Sequence, residues 1–263
     1  LQLINKENAI LNYQGLKIFL SKNSPASIPL HQKYLYAYLI SYLKIPSFYL
    51  LFWDDLVIFH EFFIEKLYDK IFEVKKGDII FDIGSSIGWY ALKNAKKVGD
   101  KGKIIAIEPD PQNYLNLKKN VELNNLTNVS VLNVGVWSSK TTLHLKSDKY
   151  TSSLNIISSE KASRMNEDFI LVNANSLDNI IEDLSLKKVD LIKMDIEGAE
   201  IQALQGAEKC LLNSKNLKLI IAAYHATTAG KKTYEILVPF LKKLNFEIYK
   251  QHLPYIYAQK REM

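Results

Sequence analysis

From about Lys75 onward, short apolar runs alternate with longer segments of helical spacing. Ile79 to Ile83 is a short apolar run of the kind that forms a parallel strand covered on both faces. The pattern predicts a helix over Gly88 to Val98 and a second strand over Lys103 to Ile107. Asp110 and Pro111 then supply an N-cap and a favoured first-turn proline, and Tyr114, Leu117 and Val121 form the apolar stripe of the next helix. Further strands are predicted at Val129 to Val134, Val189 to Met194 and Leu217 to Ala223, with a helix from about Ala199 to Leu212 between the last two. Thr141 to Leu145 and Ile170 to Asn173 suggest short additional strands, and a helix over Tyr234 to Leu244 precedes a closing pair, Phe246 to Tyr249 and Tyr255 to Ala258. Strands alternating with helices imply an α/β fold: a Rossmann-like, doubly wound, mostly parallel sheet with its ligand beyond the strand C-termini.

Before Lys75 the texture differs. Residues 1–74 are crowded with Tyr, Phe and Leu in near-helical spacing, so a mainly helical, aromatic-rich extension is expected ahead of a ligand-binding domain at 75–263. Packed over the sheet's open edge, it would bring Trp53, Glu61 and Tyr68 toward an acceptor pocket. The strongest apolar run, Phe48 to Phe59, contains Asp54 and Asp55, which excludes a bilayer span of about 20 apolar residues. The opening LQLINKENAILNYQ lacks the layout of a signal peptide, and a cytoplasmic protein is expected.

With 263 residues, 48% of them hydrophobic, the chain can build one sizeable domain and an appendage. The single cysteine, Cys210, allows neither an internal disulfide nor a thiolate metal cluster, and its apolar helical setting predicts a buried, inert thiol. The formal charge of +6 comes from scattered lysines, which predicts a solvated basic surface, although a nucleotide-sugar or lipid-headgroup substrate would also fit a mild positive field.

The chemistry concentrates in Asp82-Ile83-Gly84-Ser85-Ser86-Ile87-Gly88, between the first strand and its helix. Glycine there lets the backbone approach a ligand that a β-carbon would exclude. Three chemistries use such a loop. A dinucleotide site wants G-x-G-x-x-G, and Ser86 replaces the middle glycine. A serine hydrolase wants G-x-S-x-G, which the loop spells, and Ser86, Asp195 and His225 follow in the chain order of an α/β-hydrolase; several strands should then precede the loop, and none is predicted. The third is a nucleoside-linked methionine, with Asp82 and the loop amides facing its amino-acid end and Glu108, at the end of the next strand, accepting two hydrogen bonds from a ribose diol.

FDIGSSIGWYAL, IIAIEPDPQNYLNLKKNVELNNL, VLNVGVW and VDLIKMDIEGAEIQALQGAEKCL, taken in order, resemble the FkbM family of class I methyltransferases over roughly residues 60 to 250. The resemblance implies S-adenosylmethionine as cofactor and O-methylation of a sugar, a glycolipid or another small molecule. Carried over by position, Asp82, Gly84, Ser86, Ile87 and Gly88 would surround the methionine portion, and Glu108 with Pro109 the ribose. Asn133, Gly135, Val136 and Trp137 would flank the adenine, and Asp195 would face both cofactor and acceptor. Serines stand where the family often has alanine and asparagine.

The segment after the fourth strand, Met194-Asp195-Ile196-Glu197-Gly198-Ala199-Glu200, offers carboxylates where methylation of a base nitrogen uses an Asn/Asp-Pro-Pro-aromatic stretch, which argues against a nucleic-acid acceptor. Asp195, Glu197 and His225 are the candidate catalytic groups, positioned to orient a hydroxyl or take its proton. Competing structural roles are a helix cap for Asp195, a first-turn acid for Glu197 and a strand-end hydrogen-bonder for His225. No His/Cys cluster marks a metal site and none is assigned, although carboxylates this close could take magnesium. By the same resemblance Thr151, Ser152 and Ser153 would belong to a loop over the substrate; a plain solvent loop is the competing reading. The readings that compete with a methyltransferase are the serine hydrolase and a non-catalytic nucleotide-binding module.

Overall fold

The computed structural model describes residues 2–5, 8–21, 58–64, 67–69, 71–148, 151–157, 169–225, 230–252 and 255–261. The chain opens with an antiparallel meander, β1 (Gln2–Asn5), β2 (Asn8–Tyr13) and β3 (Leu16–Ser21). This corrects the mainly helical extension at its start. Gln14 and Gly15, both at positive φ (48° and 77°), make a two-residue hairpin turn that suits the twist of the flanking strands. Alternate residues Ala9 and Leu11 of β2 are buried, a strand period that the aromatic-rich composition of residues 1–74 obscures. Trp53 lies outside the described residues. A π-helical turn at His60–Ile64 and a 3₁₀ turn at Leu67–Asp69 lead into the main domain.

That domain runs β4 (Ile79–Ile83), α1 (Trp89–Val98), β5 (Lys103–Ile107), α2 (Pro111–Leu123), β6 (Val129–Leu132), β7 (Gly135–Val136), β8 (Thr141–Asp148), β9 (Thr151–Ile157) and β10 (Phe169–Asn175). It continues with α3 (Leu177–Asp183), β11 (Leu191–Met194), α4 (Glu200–Gln205), α5 (Glu208–Asn213), β12 (Lys218–Ala222), α6 (Thr233–Lys243), β13 (Phe246–His252) and β14 (Tyr255–Lys260). The central sheet has the order β13-β14-β12-β11-β4-β5-β6, with β12, β11, β4, β5 and β6 parallel and β14 antiparallel to both its neighbours. The chain therefore winds outward through β5 and β6, then returns to the other side of β4 through β11 and β12. The strand order reverses between β4 and β11, and the crevice beyond their C-terminal ends is the ligand site in open α/β sheets.

Successive strand residues point to opposite faces, which splits the core in two. One face collects Ile80, Ile104, Leu191 and Ile220 under α1 and the N-terminal meander; the other collects Phe81, Ile105, Ile192 and Met194 under α3, α4, α5 and α6. No helix among the described residues is long and apolar enough to cross a membrane.

The single helix expected from Ala199 to Leu212 is two. Gly206 separates them, and only glycine fits at that position, because a β-carbon there would stand 2.1 Å from the Trp137 carbonyl oxygen. Asp178 of α3 closes the break by accepting hydrogen bonds from Lys209 N and Cys210 N. α3 has no counterpart among the elements expected from the sequence; Ser176 caps it by accepting from Asn179 N. Thr151 to Ser153 begin strand β9 instead of a loop, in a second sheet ordered β7-β10-β8-β9; their side chains lie outside the described residues. Cys210 is buried, and burial pushes its thiol up to about 11.

The N-terminal meander docks through two asparagines one turn apart on α2. Asn124 exchanges hydrogen bonds with both backbone groups of Lys17, and Asn120 with both of Phe19, so the helix face acts as a pairing partner for the edge of β3. Asn120 also donates to Ile87 O at 2.9 Å, which ties the meander to the start of α1. Asn120→Ala strands these buried backbone groups and is expected to destabilise the protein by about 1–3 kcal/mol. Urea unfolding monitored at a tryptophan measures this, and an unchanged midpoint would refute the docking role.

Candidate functional site

The loop after β4 is shaped by its neighbours. Gly84 (φ 74°) donates its N–H to Ile107 O, and a β-carbon on it would fall 1.9 Å from the Asp195 carbonyl oxygen. Only glycine lets β4 and β11 deliver their loops this close. Beneath it lies a buried ion pair. Asp82 is fully enclosed, Lys193 is 3% exposed, and the ammonium stands 3.1 Å from Asp82 Oδ1 while donating to Gly84 O at 2.8 Å. Burial pushes the Asp82 carboxyl up, and Lys193 pulls it back down. Asp82 thus meets the loop from below, through Lys193. The sequence signals Lys193 only as a lysine inside an otherwise apolar strand, with no motif around it that names a partner.

Ser86 sits at φ 51° and donates its N–H to Glu108 Oε2 at 2.8 Å; Asp110 N donates to Glu108 Oε1 at 3.0 Å. Asp110 also caps α2 by accepting from Gln112 N and Asn113 N. Glu108 is 1% exposed, and burial pushes its carboxyl up to about 7 against the pull of those two amides. Asn133 donates to Glu108 O and Pro109 O, which fixes the acid's backbone. Beside Gly84 an apolar slot is lined by Ile107, Pro109, Val134, Gly135, Val136 and Ile196. Of the other candidates, Ile87 and Trp137 pack into the hydrophobic cores, while Gly88 (φ 101°) begins α1.

Across the slot, Asp195 donates its N–H to Ile83 O and accepts the Tyr68 hydroxyl at Oδ2, 2.8 Å away. Tyr68 is buried, and burial and then Asp195 raise its phenol, so it remains the donor. Its ring lies edge-on to Tyr255 at 4.9 Å, and Lys193 Nζ stands 5.5 Å from its centre. Tyr224, 37% exposed, lies 4.1 Å from the His225 ring, and Asp195 and burial raise its phenol. Asp195 does not cap α4; Ala199 occupies that position.

His225 stands between two carboxylates, Nε2 3.1 Å from Glu197 and Nδ1 3.1 Å from Glu200. Burial alone would lower its pKa; the two glutamates outweigh it and raise the imidazole to about 10. Glu197 (φ 54°) has its carboxyl pushed up by burial, with His225 opposing. Glu200 is fully buried and accepts from Ile196 N and Gly198 N, which shapes the turn that carries Glu197. Because both ring nitrogens of His225 face glutamates, none is left for Ser86, and the hydrolase triad does not assemble.

The reversal of strand order, the glycine loop and the buried acid after β5 define a class I methyltransferase fold. Residues 82–248 match the profile described as the methyltransferase FkbM domain, well over half the chain. The protein belongs to the FkbM methyltransferase family. It is 27% identical to methyltransferase sdnD of Sordaria araneosa, over 58% of this chain and 68% of that protein. It is 26% identical to the hexuronic acid methyltransferase AglP of Haloferax volcanii, over 68% of each. Its fold is similar to the crystal structure of the FkbM methyltransferase from Methylobacillus flagellatus KT, with a TM-score of 0.53, 20% identity and 73% of this chain covered. The matched part is 45% of that crystallised protein, so this chain spans under half of its length.

Glu108 makes stability depend on pH with a definite sign. Its folded pKa, about 7, exceeds the ordinary 4.5, so the native state holds the proton more tightly. This contribution is complete below the unfolded carboxyl range and is lost as pH rises through about 7. In urea unfolding of the ligand-free protein, wild type should lose on the order of 3 kcal/mol relative to Glu108→Gln between about pH 4.5 and pH 8. A pH-independent difference would show that Glu108 is solvated.

Proposed function

We propose that the protein is an S-adenosylmethionine-dependent O-methyltransferase whose acceptor is a hydroxyl of a sugar or another small oxygen-rich molecule. The observation that carries this is the juxtaposition of Asp195, held by the Tyr68 hydroxyl, with the Gly84 loop at the point where the strand order reverses. The residues fit the cofactor. Gly84 leaves no β-carbon in the cradle, apolar side chains line the space beside it, and Glu108 offers a buried carboxylate to a vicinal diol.

S-adenosylmethionine, when bound, supplies a methyl group on a sulfonium, open to in-line attack by an oxygen. The chain's own contribution is mainly alignment, worth about 7–11 kcal/mol where the reacting atoms are well placed. Lys193 and Asp82 hold Gly84 from below, and Asn133 holds the Glu108-Pro109 backbone. Asp195 is the proposed general base, accepting the hydroxyl proton at a carboxylate oxygen that Tyr68 orients, with Glu197 beside it. His225, protonated between two glutamates, orients Glu197 instead of competing for the proton. The exposed ring of Tyr224, beside Asp195 and His225, suits the apolar face of a sugar. The hexuronic acid named for one relative makes uronates the first acceptors to try.

Titration calorimetry should show S-adenosylmethionine binding that weakens at least about tenfold in Glu108→Ala, with NADH as a control that does not bind. No binding to the folded protein would sink the proposal. Asp195→Asn should retain the cofactor and lower turnover by about 10²–10⁴-fold on any acceptor found. Unaltered turnover in that variant would remove Asp195 as the base.

A further inference from the structure

We propose that Asp195, Glu197 and His225 bind one divalent metal ion of the manganese or zinc type. The site takes two ligands from the turn after β11 and one from the end of β12. One ligand atom from each of the three lies within 4.8 Å of the others. About a six-coordinate ion with bonds of about 2.1 Å, cis ligands stand about 3 Å apart and trans ligands about 4.2 Å. The 3.1 Å between His225 Nε2 and Glu197 Oε2 already has the cis spacing, and a pair at the 4.8 Å limit has to close by about 0.6 Å to reach the trans spacing.

Proximity of acids alone would not carry this, and two further features do. His225 has nine-tenths of its side chain buried, and the fully buried Glu200 stands 3.1 Å from its Nδ1. A carboxylate behind the outer nitrogen is the usual support of a metal-ligating histidine, since it fixes the ring and directs the other nitrogen at the ion. Here Nε2 stands 3.1 Å from Glu197 Oε2 without a hydrogen bond to it, and the ion would displace the proton that Nε2 carries in the ion-free protein. In addition, Asp195 Oδ1 is enclosed and has no hydrogen-bond partner among the described residues, because Tyr68 engages Oδ2. A buried carboxylate oxygen without a donor is costly unless something positive occupies its front. Lys193 is committed to Asp82 and the Gly84 carbonyl.

One nitrogen with two carboxylates suits manganese or zinc better than magnesium, which prefers oxygen alone. The inference depends on the methyl-transfer proposal only for its use: an open coordination position beside the Gly84 loop would hold an acceptor hydroxyl and lower its pKa. Ion binding itself is measured without turnover.

The full chain, stripped with a chelator, is titrated with Mn²⁺ while the electron paramagnetic resonance signal of free Mn²⁺ is followed. One ion per chain is expected, with pulsed spectra showing coupling to a histidine nitrogen. Glu197→Gln and His225→Gln should weaken binding at least tenfold, and Glu200→Gln about 10–100-fold by releasing the ring. Circular dichroism checks that each variant is folded, and the nitrogen coupling in wild type decides the matter even if a variant is not. Absence of bound Mn²⁺, binding without nitrogen coupling, or binding indifferent to folded variants would overturn the site. S-adenosylmethionine titrated in parallel separates the two proposals, because cofactor binding without Mn²⁺ sinks only the metal site and Mn²⁺ binding without cofactor sinks only the methyltransferase.

Discussion

The close approach of the Gly84 backbone to the Asp195 carbonyl is the constraint around which the site is arranged. β4 and β11 run parallel and in register, with Asp82 opposite Lys193 and Ile83 opposite Met194, so the two strands release their loops at the same level. With less than 2 Å between an imagined β-carbon and the Asp195 oxygen, the two loops close into a single wall. The Lys193 ammonium locks that wall by reaching both Asp82 and the Gly84 carbonyl. A buried ion pair is an expensive way to gain stability, because desolvation offsets much of the attraction. Its value here is positional: a directional clamp on a glycine that would otherwise be among the freest residues in the chain.

Charge is distributed around this wall in two separate compartments. On the β5 side Glu108 sits nearly alone, satisfied by two backbone amides and made easily protonated by its burial. On the β12 side Asp195, Glu197 and Glu200 crowd about one imidazole, and Tyr68 and Tyr224 keep their phenolic protons beside them. The first arrangement suits recognition of a neutral ligand. The second concentrates negative charge around a single cation.

Much of the central domain was legible because parallel strands are buried on both faces and therefore appear as apolar runs. Lys103 to Ile107 has the predicted ends, and the strands around Val129, Leu191 and Lys218 differ from prediction only near their termini. The N-terminal meander was less legible, because aromatic residues dominate residues 1–74 and its strands are secured by Asn120 and Asn124, more than 100 residues away. The break at Gly206 was hidden for a similar reason, since the obstruction is the Trp137 carbonyl on another element. In the candidate site, motif order and residue type single out Gly84, Glu108 and Asp195 as candidates. They did not mark Lys193, whose partner is brought opposite by strand pairing, or the sandwiching of His225.

By itself, the sequence determined which segments could be buried strands, where the backbone had to be free of a side chain, and which acids ended up at strand termini. Those are local properties, set by apolar periodicity and by the stereochemistry of single residues. Tertiary structure alone decided what each charged group faces: Lys193 to Asp82, Tyr68 to Asp195, and His225 between Glu197 and Glu200. Electrostatic effects fall off steeply with separation and depend on burial, so the chemistry of a carboxylate or an imidazole is fixed only when folding brings distant segments within about 3 Å.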